Sequence, residues 1–364
     1  MESGNAKPLL TLMVCAYNQE RFIREAVEGA FAQTYSPLEI ILSDDCSPDR
    51  TFEIMREMAG VYRGPHRLIL NRNATNLGLA AHGNRLAELA HGELWVGVAG
   101  DDICFPNRVE LVYQAWEYSG RRARGIQGEY IDIDENGKLI GKVVDRPTVT
   151  FREEKPTLED YVRTLKPEIV GGAYAGHSLT YATFGPLPSE VIHEDSVAAF
   201  RAICLGSLVF INAPVIKRRI HGNNLFSRRH ELAASWTAVK RQEDRMIRDA
   251  RSRAMLYEVF LADLQVAKQK KLISNELWAA LTRSCCYQRQ LLNQRAEFVA
   301  ADMVRKLRMF LSLWRARVDD GLIKWMIFRL MPAPLFRSLK VVGNSTRLAM
   351  RTVFQCRSLD GSTR

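Results

Sequence analysis

Two pairs of adjacent carboxylates stand where apolar runs end. Leu38-Glu39-Ile40-Ile41-Leu42 leads into Ser43-Asp44-Asp45, and Trp95-Val96-Gly97-Val98-Ala99-Gly100 leads into Asp101-Asp102. Adjacent acids after a buried strand repel each other, so a cation or a cap must neutralise them. Hard divalent ions take carboxylate and phosphate oxygens together. The competing reading of Asp101-Asp102 is a turn before a capped helix at Pro106. A carboxylate at the end of the second apolar run can accept the imide N–H of a uracil or thymine ring. Tyr17, which follows Thr11-Leu12-Met13-Val14-Cys15-Ala16, can stack on that ring. Asp44 taken alone serves equally as a helix N-cap. Asp49 reads as the cap of a helix beginning at Thr51.

These residues need a sheet to bring them to one edge. Leu9 to Ala16 is nearly continuous apolar, as in a strand buried on both faces. From Ile23 the apolar residues fall at 23, 26, 27 and 30, a helix period. Leu38–Leu42 reads as a second strand, Phe52–Met58 as a helix, Leu68–Leu70 as a third strand, Leu79–Ala90 as a helix and Glu93–Ala99 as a fourth strand. Strands alternating with helices imply an α/β fold with a mostly parallel sheet between helices. Ligands of such sheets sit outside the carboxyl ends of the strands. Residues 125–144 read as a hairpin around the two-residue turn Asn136-Gly137. Asp132-Ile133-Asp134 begins like a calcium loop, but Val143 stands where that loop needs a bidentate Glu. Residues 157–222 mix short elements, and from about 225 the texture is helical.

Composition excludes several classes. The chain has 364 residues, 47% hydrophobic and 25% charged, so a sizeable core is available. Its seven cysteines are scattered without CxxC spacing, which points away from zinc and disulfides and towards a reducing cytoplasm. No leader and no apolar stretch of spanning length is read. The first strand is followed by neither GxGxxG nor a Walker lysine, which argues against a dehydrogenase or P-loop enzyme. Residues 1–216 carry 21 Lys+Arg against 29 Asp+Glu, whereas 217–364 carry 30 against 12. Two halves of opposite sign imply two jobs, the basic half facing something anionic.

The array resembles the inverting family 2 glycosyltransferases, which have the GT-A fold. The resemblance rests on Val14-Cys15-Ala16-Tyr17-Asn18, Gln33-Thr34-Tyr35, the run from Glu39 to Thr51, Asn76-Leu77-Gly78-Leu79-Ala80, Asn84, Gly92-Glu93-Leu94, and Asp101-Asp102 with Pro106. The order and spacing match over residues 9–109, weaken through 110–222 and fade beyond 225. The resemblance implies that Tyr17 and Asp45 hold the base of a nucleotide sugar, usually UDP, with Ala16 and Asn76 in the same donor-binding set. Asp101 would lie beside the ribose or sugar, and Asp102 would coordinate Mg²⁺ or Mn²⁺ at the diphosphate. Glu194-Asp195 looks like the family's acidic pair near the acceptor, with Asp195 the general base and Glu194 a substrate contact; the competing reading of Asp195 is a helix cap. Arg219-Ile220-His221 looks like the closing segment, His221 reaching the metal or diphosphate. Two positions depart from the pattern: Ala99 replaces a further acid, and Cys46 and Pro48 replace Gly and Thr. Cys46 cannot take positive φ as cheaply as Gly.

The expected organisation is a GT-A domain over 1–222, divided into a nucleotide-sugar half, 1–109, and an acceptor half, 110–222. A basic helical extension follows over 223–364. Within it, residues 322–331 are short, apolar and flanked by cations, the profile of a helix lying in a membrane interface; the competing reading is an ordinary helix packed on the core. The expected partners are a nucleotide-sugar donor, a saccharide or lipid-linked saccharide acceptor and an anionic membrane surface met through 225–364. Nucleic acid is not expected. The location would be cytoplasmic, peripheral at the membrane face. The competing enzyme is a sugar nucleotidyltransferase, which needs a Gly-rich basic loop where this chain has Ala16-Tyr17-Asn18-Gln19-Glu20. The non-enzymatic alternative is a degenerate transferase acting as a membrane or assembly adaptor.

Overall fold

The computed structural model describes residues 6–140, 148–222, 236–315 and 326. The stretch 322–331 therefore lies outside the described residues, apart from Met326.

The first unit takes in the described residues up to 222 together with Glu258–Cys285. Its first half follows the apolar periodicity closely. β1 (Leu10–Ala16), β2 (Leu38–Asp44), β3 (Arg67–Arg72) and β4 (Leu94–Ala99) alternate with α1 (Ile23–Phe31), α2 (Thr51–Val61) and α3 (Leu79–Leu89). The four strands are parallel in the order β3-β2-β1-β4. β2 is buried along its whole length, and Leu10, Leu12 and Val14 of β1 are fully buried. Near-continuous apolar character is what burial on both faces demands.

Beyond β4 the sheet changes character. β5 (Ile103–Cys104), α4 (Arg108–Tyr118), β6 (Ala123–Ile133), β7 (Leu139–Ile140), β8 (Phe151–Glu154), α5 (Leu158–Thr164), β9 (Tyr174–His177), α6 (Ser178–Phe184), α7 (Glu194–Leu205) and β10 (Ser207–Arg219) follow. The sheet continues β4-β9-β6-β10-β5, and β9 is antiparallel to both its neighbours. The sheet is thus mixed rather than mostly parallel; parallel pairing returns only at β6–β10. The hairpin joining β6 to β7 is also wider than a two-residue turn. Asp134 Oδ1 accepts from the N–H groups of Asn136 and Lys138, and Gly137 has φ of +82°. Asp132 forms a bidentate pair with Arg218 at 2.8 and 3.0 Å. Asp132 and Asp134, the first two acids of the calcium-like run, are therefore engaged by protein groups.

The helical region begins with α8 (Trp236–Gln269), α9 (Asn275–Ala300) and α10 (Met303–Arg315). Its segment Glu258–Cys285 belongs to the first unit, so the boundary read at 222 is not where the first compact body ends. The reason is a buried ion pair that no local pattern announces. Arg201 of α7 donates to Asp263 at 2.8 and 3.0 Å and to the carbonyl of Gly185 at 2.7 Å. Beside it, Phe200 stacks on Phe260 with centroids 4.1 Å apart.

The second unit holds 236–257 with 286–315 and 326. There Met326 is fully buried against Leu291 and Phe298. Helix α10 packs Met309, Phe310 and Leu313 into the same cluster. Val304, Leu307 and Leu311 stay exposed at spacings of three and four, one stripe of the helix. No helix among the described residues is long and apolar enough to cross a membrane.

Removing one partner of a buried ion pair strands the other charge, which costs about 3–5 kcal/mol. Asp263→Ala is expected to lower the unfolding free energy by that amount in a urea titration. A loss below 1 kcal/mol would mean the pair does not hold α8 to the first unit.

Candidate functional site

The two acidic pairs, Asp44-Asp45 and Asp101-Asp102, follow the parallel strands β2 and β4 at their carboxyl edge, but their members divide into two kinds. Asp44 is fully buried and spends its carboxylate locally: Oδ2 accepts from the Ser47 N–H at 2.9 Å, Oδ1 from the Ser47 hydroxyl, and Arg72 approaches at 3.6 Å. It closes a turn and caps no helix. Asp45 accepts from Asn73 Nδ2 at 2.8 Å and from the N–H groups of Leu77 and Gly78 at 2.9 Å each. Three of a carboxylate's roughly four acceptor positions are therefore filled. The residue that secures it is Asn73, which the sequence reading missed; Asn76 is exposed.

The segment after β1 is laced to the segment after β2. The carbonyl of Ala16 accepts from Asp45 N–H, Asn18 N–H donates to Ser47 Oγ, Gln19 N–H to Thr51 Oγ1 and Glu20 N–H to Asp49 Oδ2. Asp49 also accepts from Thr51 N–H at 3.0 Å, as a helix-capping side chain does. Tyr17 is left 48% exposed above this frame, a ring face available for stacking. Cys46 has φ of +60°, the conformation that glycine adopts without penalty. Holding a non-glycine residue there costs on the order of 1–3 kcal/mol.

Asp101 and Asp102 are 7% and 5% exposed. Arg219, at the end of β10, binds both: its N–H donates to Asp102 Oδ1 at 2.9 Å and its Nε to the Asp101 carbonyl at 3.0 Å. His221 Nε2 lies 2.9 Å from Asp101 Oδ2. The ring thus engages Asp101, beside the place where the resemblance has it reach a metal or diphosphate. Burial, then repulsion from Asp101, raises the Asp102 carboxyl above the ordinary range. The Arg108 and Arg218 charges only partly offset this. Arg108 is itself fully buried, donating to the Gly97 carbonyl at 2.6 Å and to Cys104 Sγ.

The second acidic pair begins α7. A helical turn at Gly171–Ala173 lies between the two pairs. A β-carbon at Gly172 would come 2.9 Å from Asp102 Oδ2; one at Gly171 would lie 3.5 Å from Glu194 Oε1 and 3.9 Å from Asp195 Cβ. Two consecutive glycines thus each face one acidic pair. Glu194 Oε2 is buried without a hydrogen-bond partner. Burial, then Asp195, pushes Glu194 up to about 8. Burial also raises Asp195, against the opposing bond that Oδ1 accepts from Ser196 N–H at 2.7 Å. Asp195 therefore lies inside the first turn of α7, where His193 is the cap position, and its Oδ1 accepts from the next residue's N–H and hydroxyl.

Parallel strands ending on carboxylates, a second half of mixed pairing and an acidic pair at the start of α7 are the arrangement of a GT-A-type fold. The sequence pattern described as "Glycosyl transferase family 2" matches residues 11–168. An uncharacterized glycosyltransferase of Haemophilus influenzae is 30% identical over 245 residues, 65% of this chain and 73% of that protein. The chain belongs to glycosyl transferase family 2. An uncharacterized glycosyltransferase of Rickettsia bellii is 25% identical over 261 residues, 66% of this chain but 35% of that protein, so the chain spans about a third of that relative's length. Among solved structures, Staphylococcus aureus TarS 1-349 in complex with UDP-GlcNAc superposes with a TM-score of 0.50 at 15% identity, covering 87% of this chain and 90% of that one. At that identity the likeness is one of fold.

The Glu194 value above its ordinary 4.5 means that the folded protein keeps this proton to higher pH than the unfolded chain. The stability it contributes is complete below about 4.5 and is lost as pH rises through about 8. Glu194→Gln removes that dependence. Its melting temperature relative to wild type is expected to be more positive at pH 9 than at pH 5. A difference that does not change with pH would show that Glu194 ionises normally.

Proposed function

We propose that the chain moves a sugar from a nucleoside-diphosphate donor, a UDP-sugar, to a hydroxyl of a saccharide or lipid-linked saccharide, inverting the anomeric carbon, in the building of a cell-surface glycan. The observation that carries this reading is the pair of glycines facing Asp102 on one side and Glu194-Asp195 on the other. Inversion is a single displacement, so the base and the leaving group must lie on opposite faces of the sugar. Both acidic centres border the same Gly171–Gly172 turn, so a sugar seated at that turn would meet Asp102 and Glu194-Asp195 together.

Each residue then has a task. Tyr17 stacks on the base and Asp45, through its remaining acceptor position, takes the imide N–H; the Ala16 backbone and Asn76 border the same place. Asp101 lies beside the ribose or sugar. Glu194 Oε2, buried and unpartnered, accepts from a sugar hydroxyl, which would supply the bond it lacks. Asp195 takes the proton from the acceptor hydroxyl as its oxygen attacks. Its raised carboxyl makes it a stronger base once ionised.

A divalent ion fits the other acidic pair. Asp102, a buried carboxylate whose charge the nearby arginines only partly offset, is a hard oxygen donor suited to a cation. Among the described residues no group of three His, Cys, Asp or Glu is arranged to hold one. The protein would therefore supply a minority of ligands, Asp102 and, once its contact with Asp101 is exchanged, His221; diphosphate oxygens would supply others. Mg²⁺ or Mn²⁺ bound there would offset the charge developing on the leaving diphosphate.

These roles are tested together. The melting temperature of wild type should rise with one of UDP, GDP, dTDP or CMP in the presence of Mn²⁺, and Asp102→Ala should lose the metal-dependent part. Asp195→Asn should keep that shift while turnover falls about 10²–10⁴-fold. No shift with any nucleotide would overturn the donor site, and full turnover by Asp195→Asn would overturn the base.

The acceptor side has its own support in helix α10. Its exposed stripe of Val304, Leu307 and Leu311 runs beside exposed Arg305 and Arg308, as in a helix that rests on an anionic bilayer. Wild type should co-sediment with phosphatidylglycerol vesicles, and Leu307→Glu with Leu311→Glu should not. Equal sedimentation of both proteins would exclude α10 as the contact.

A further inference from the structure

One polar cluster is absent from the roles above. Cys15, Ser43 and Asn71 occupy matching register positions on β1, β2 and β3. One step back along the same face stand Met13, Ile41 and Ile69, an apolar row of the ordinary kind. His82 of α3 lies over the polar row and is 2% exposed. Its Nδ1 is 3.1 Å from Cys15 Sγ and its Nε2 is 2.7 Å from Ser43 Oγ. Asn71 Nδ2 donates to Ser43 Oγ at 2.9 Å and to Asn73 Oδ1 at 3.0 Å, and Asn73 Nδ2 donates to Asp45.

A thiol, an imidazole and a hydroxyl in a row suggest a nucleophile, but the electrostatics oppose it. Burial, then the Asp45, Glu194, Asp101 and Asp44 charges, pushes the Cys15 thiol up to about 12. Burial lowers His82, so the ring is neutral and can relay hydrogen bonds with one donor and one acceptor nitrogen. The row therefore transmits position. It reaches Asp45 by two routes. One runs through Ser43, Asn71 and Asn73. The other runs through the first turn of α3: His82 N–H donates to the Gly78 carbonyl at 2.9 Å, and the N–H groups of Leu77 and Gly78 hold Asp45. At its other end, Cys15 directly precedes Ala16 and Tyr17.

We infer that His82 is the positioning residue of the donor-base pocket, fixing the Asp45 carboxylate and the Asn73–Gly78 loop relative to Tyr17. The inference rests on the reading of Asp45 and Tyr17 as that pocket. Polar groups in a core are costly unless fully satisfied. The Asn71 amide at the end of this row is shared between Ser43 and Asn73, and Asn73 holds Asp45, so the geometry of the row is coupled to that of the base-binding loop.

The test is UDP binding by calorimetry, with Mn²⁺ present, well below the melting temperature of each variant, alongside steady-state kinetics. His82→Leu is expected to raise the UDP dissociation constant and the donor KM about tenfold, the scale of one buried hydrogen bond lost from a binding site. The acceptor KM and kcat at saturating donor should stay within about twofold, a split that general loosening of the fold would not produce. His82→Gln, which keeps a donor and an acceptor, should recover most of the affinity. Asn71→Ala breaks the first route without touching the packing of α3, and should weaken UDP in the same sense even if His82→Leu fails to fold. Unchanged UDP affinity in these variants would overturn the inference, as would a fall in kcat with donor affinity intact. Wild type that binds no UDP would overturn the donor-site reading itself, and this inference with it.

Discussion

The guanidinium of Arg219 is buried, and the rest of the site is arranged around satisfying it. The side chain is 1% exposed, and a charge so enclosed is tolerated only when its donors are matched. Nε reaches the Asp101 carbonyl, Nη1 the Glu135 carbonyl at 3.2 Å and Nη2 the Glu25 carboxylate at 3.0 Å. The guanidinium also lies over the Phe22 ring at 4.9 Å. Those partners belong to four segments: the loop after β4, the β6–β7 hairpin, α1 and the residue leading into it. One side chain at the end of the last strand thus ties the second half of the sheet to the first. The acidic pair is trapped between them as a consequence.

Among the described residues, the arginines near the carboxyl edge are engaged by protein groups. Arg219 spends its side chain on carbonyls and on Glu25, and Arg218 spends its own on Asp132. Arg108 is held by carbonyls and a sulfur. Asp102, Glu194 and Asp195 are all raised, with burial the leading cause at each. Asp44, equally enclosed, has its turn and Arg72 for company. The distinction between a structural acid and a functional one is visible in what each carboxylate touches rather than in how deeply it lies.

Much of this was legible beforehand, for a physical reason. The strands and helices of residues 9–99 announce themselves because both-face burial and 3.6-residue periodicity leave marks in consecutive residues. The positions of Tyr17, Asp45 and Asp101-Asp102 follow from strand ends alone. What escaped depends on partners far away in sequence. Asn73, which the sequence reading did not single out, secures Asp45, because the loop turns back onto β2. Antiparallel β9 is four residues long, too short for a periodic signal. The hairpin loop widened because the Asp134 side chain captured two N–H groups. Cys46 was flagged as an ill fit for positive φ, and the backbone takes positive φ there nonetheless. Its neighbours hold the turn: Ser47 donates twice to Asp44 and Asn73 donates to Asp45.

The helical extension bears on the chemistry in a way its basic composition does not suggest. Helix α7 carries Glu194 and Asp195 in its first turn and Arg201 two turns later. A helix held only by apolar packing can roll a few degrees at small cost, and the carboxylates at its end would swing with it. Here the bidentate pair with Asp263 and the bond to the Gly185 carbonyl fix the roll at Arg201. The Tyr161 hydroxyl donates to the Ser196 carbonyl at 3.0 Å and fixes it again beside the acidic pair. Tyr161 in turn packs on Phe260, which stacks on Phe200. Residues 258–285 therefore serve as part of the scaffold that aims the acidic pair. A break in the chain before them would be expected to misplace Asp195 even though every residue of the recognisable transferase pattern remained.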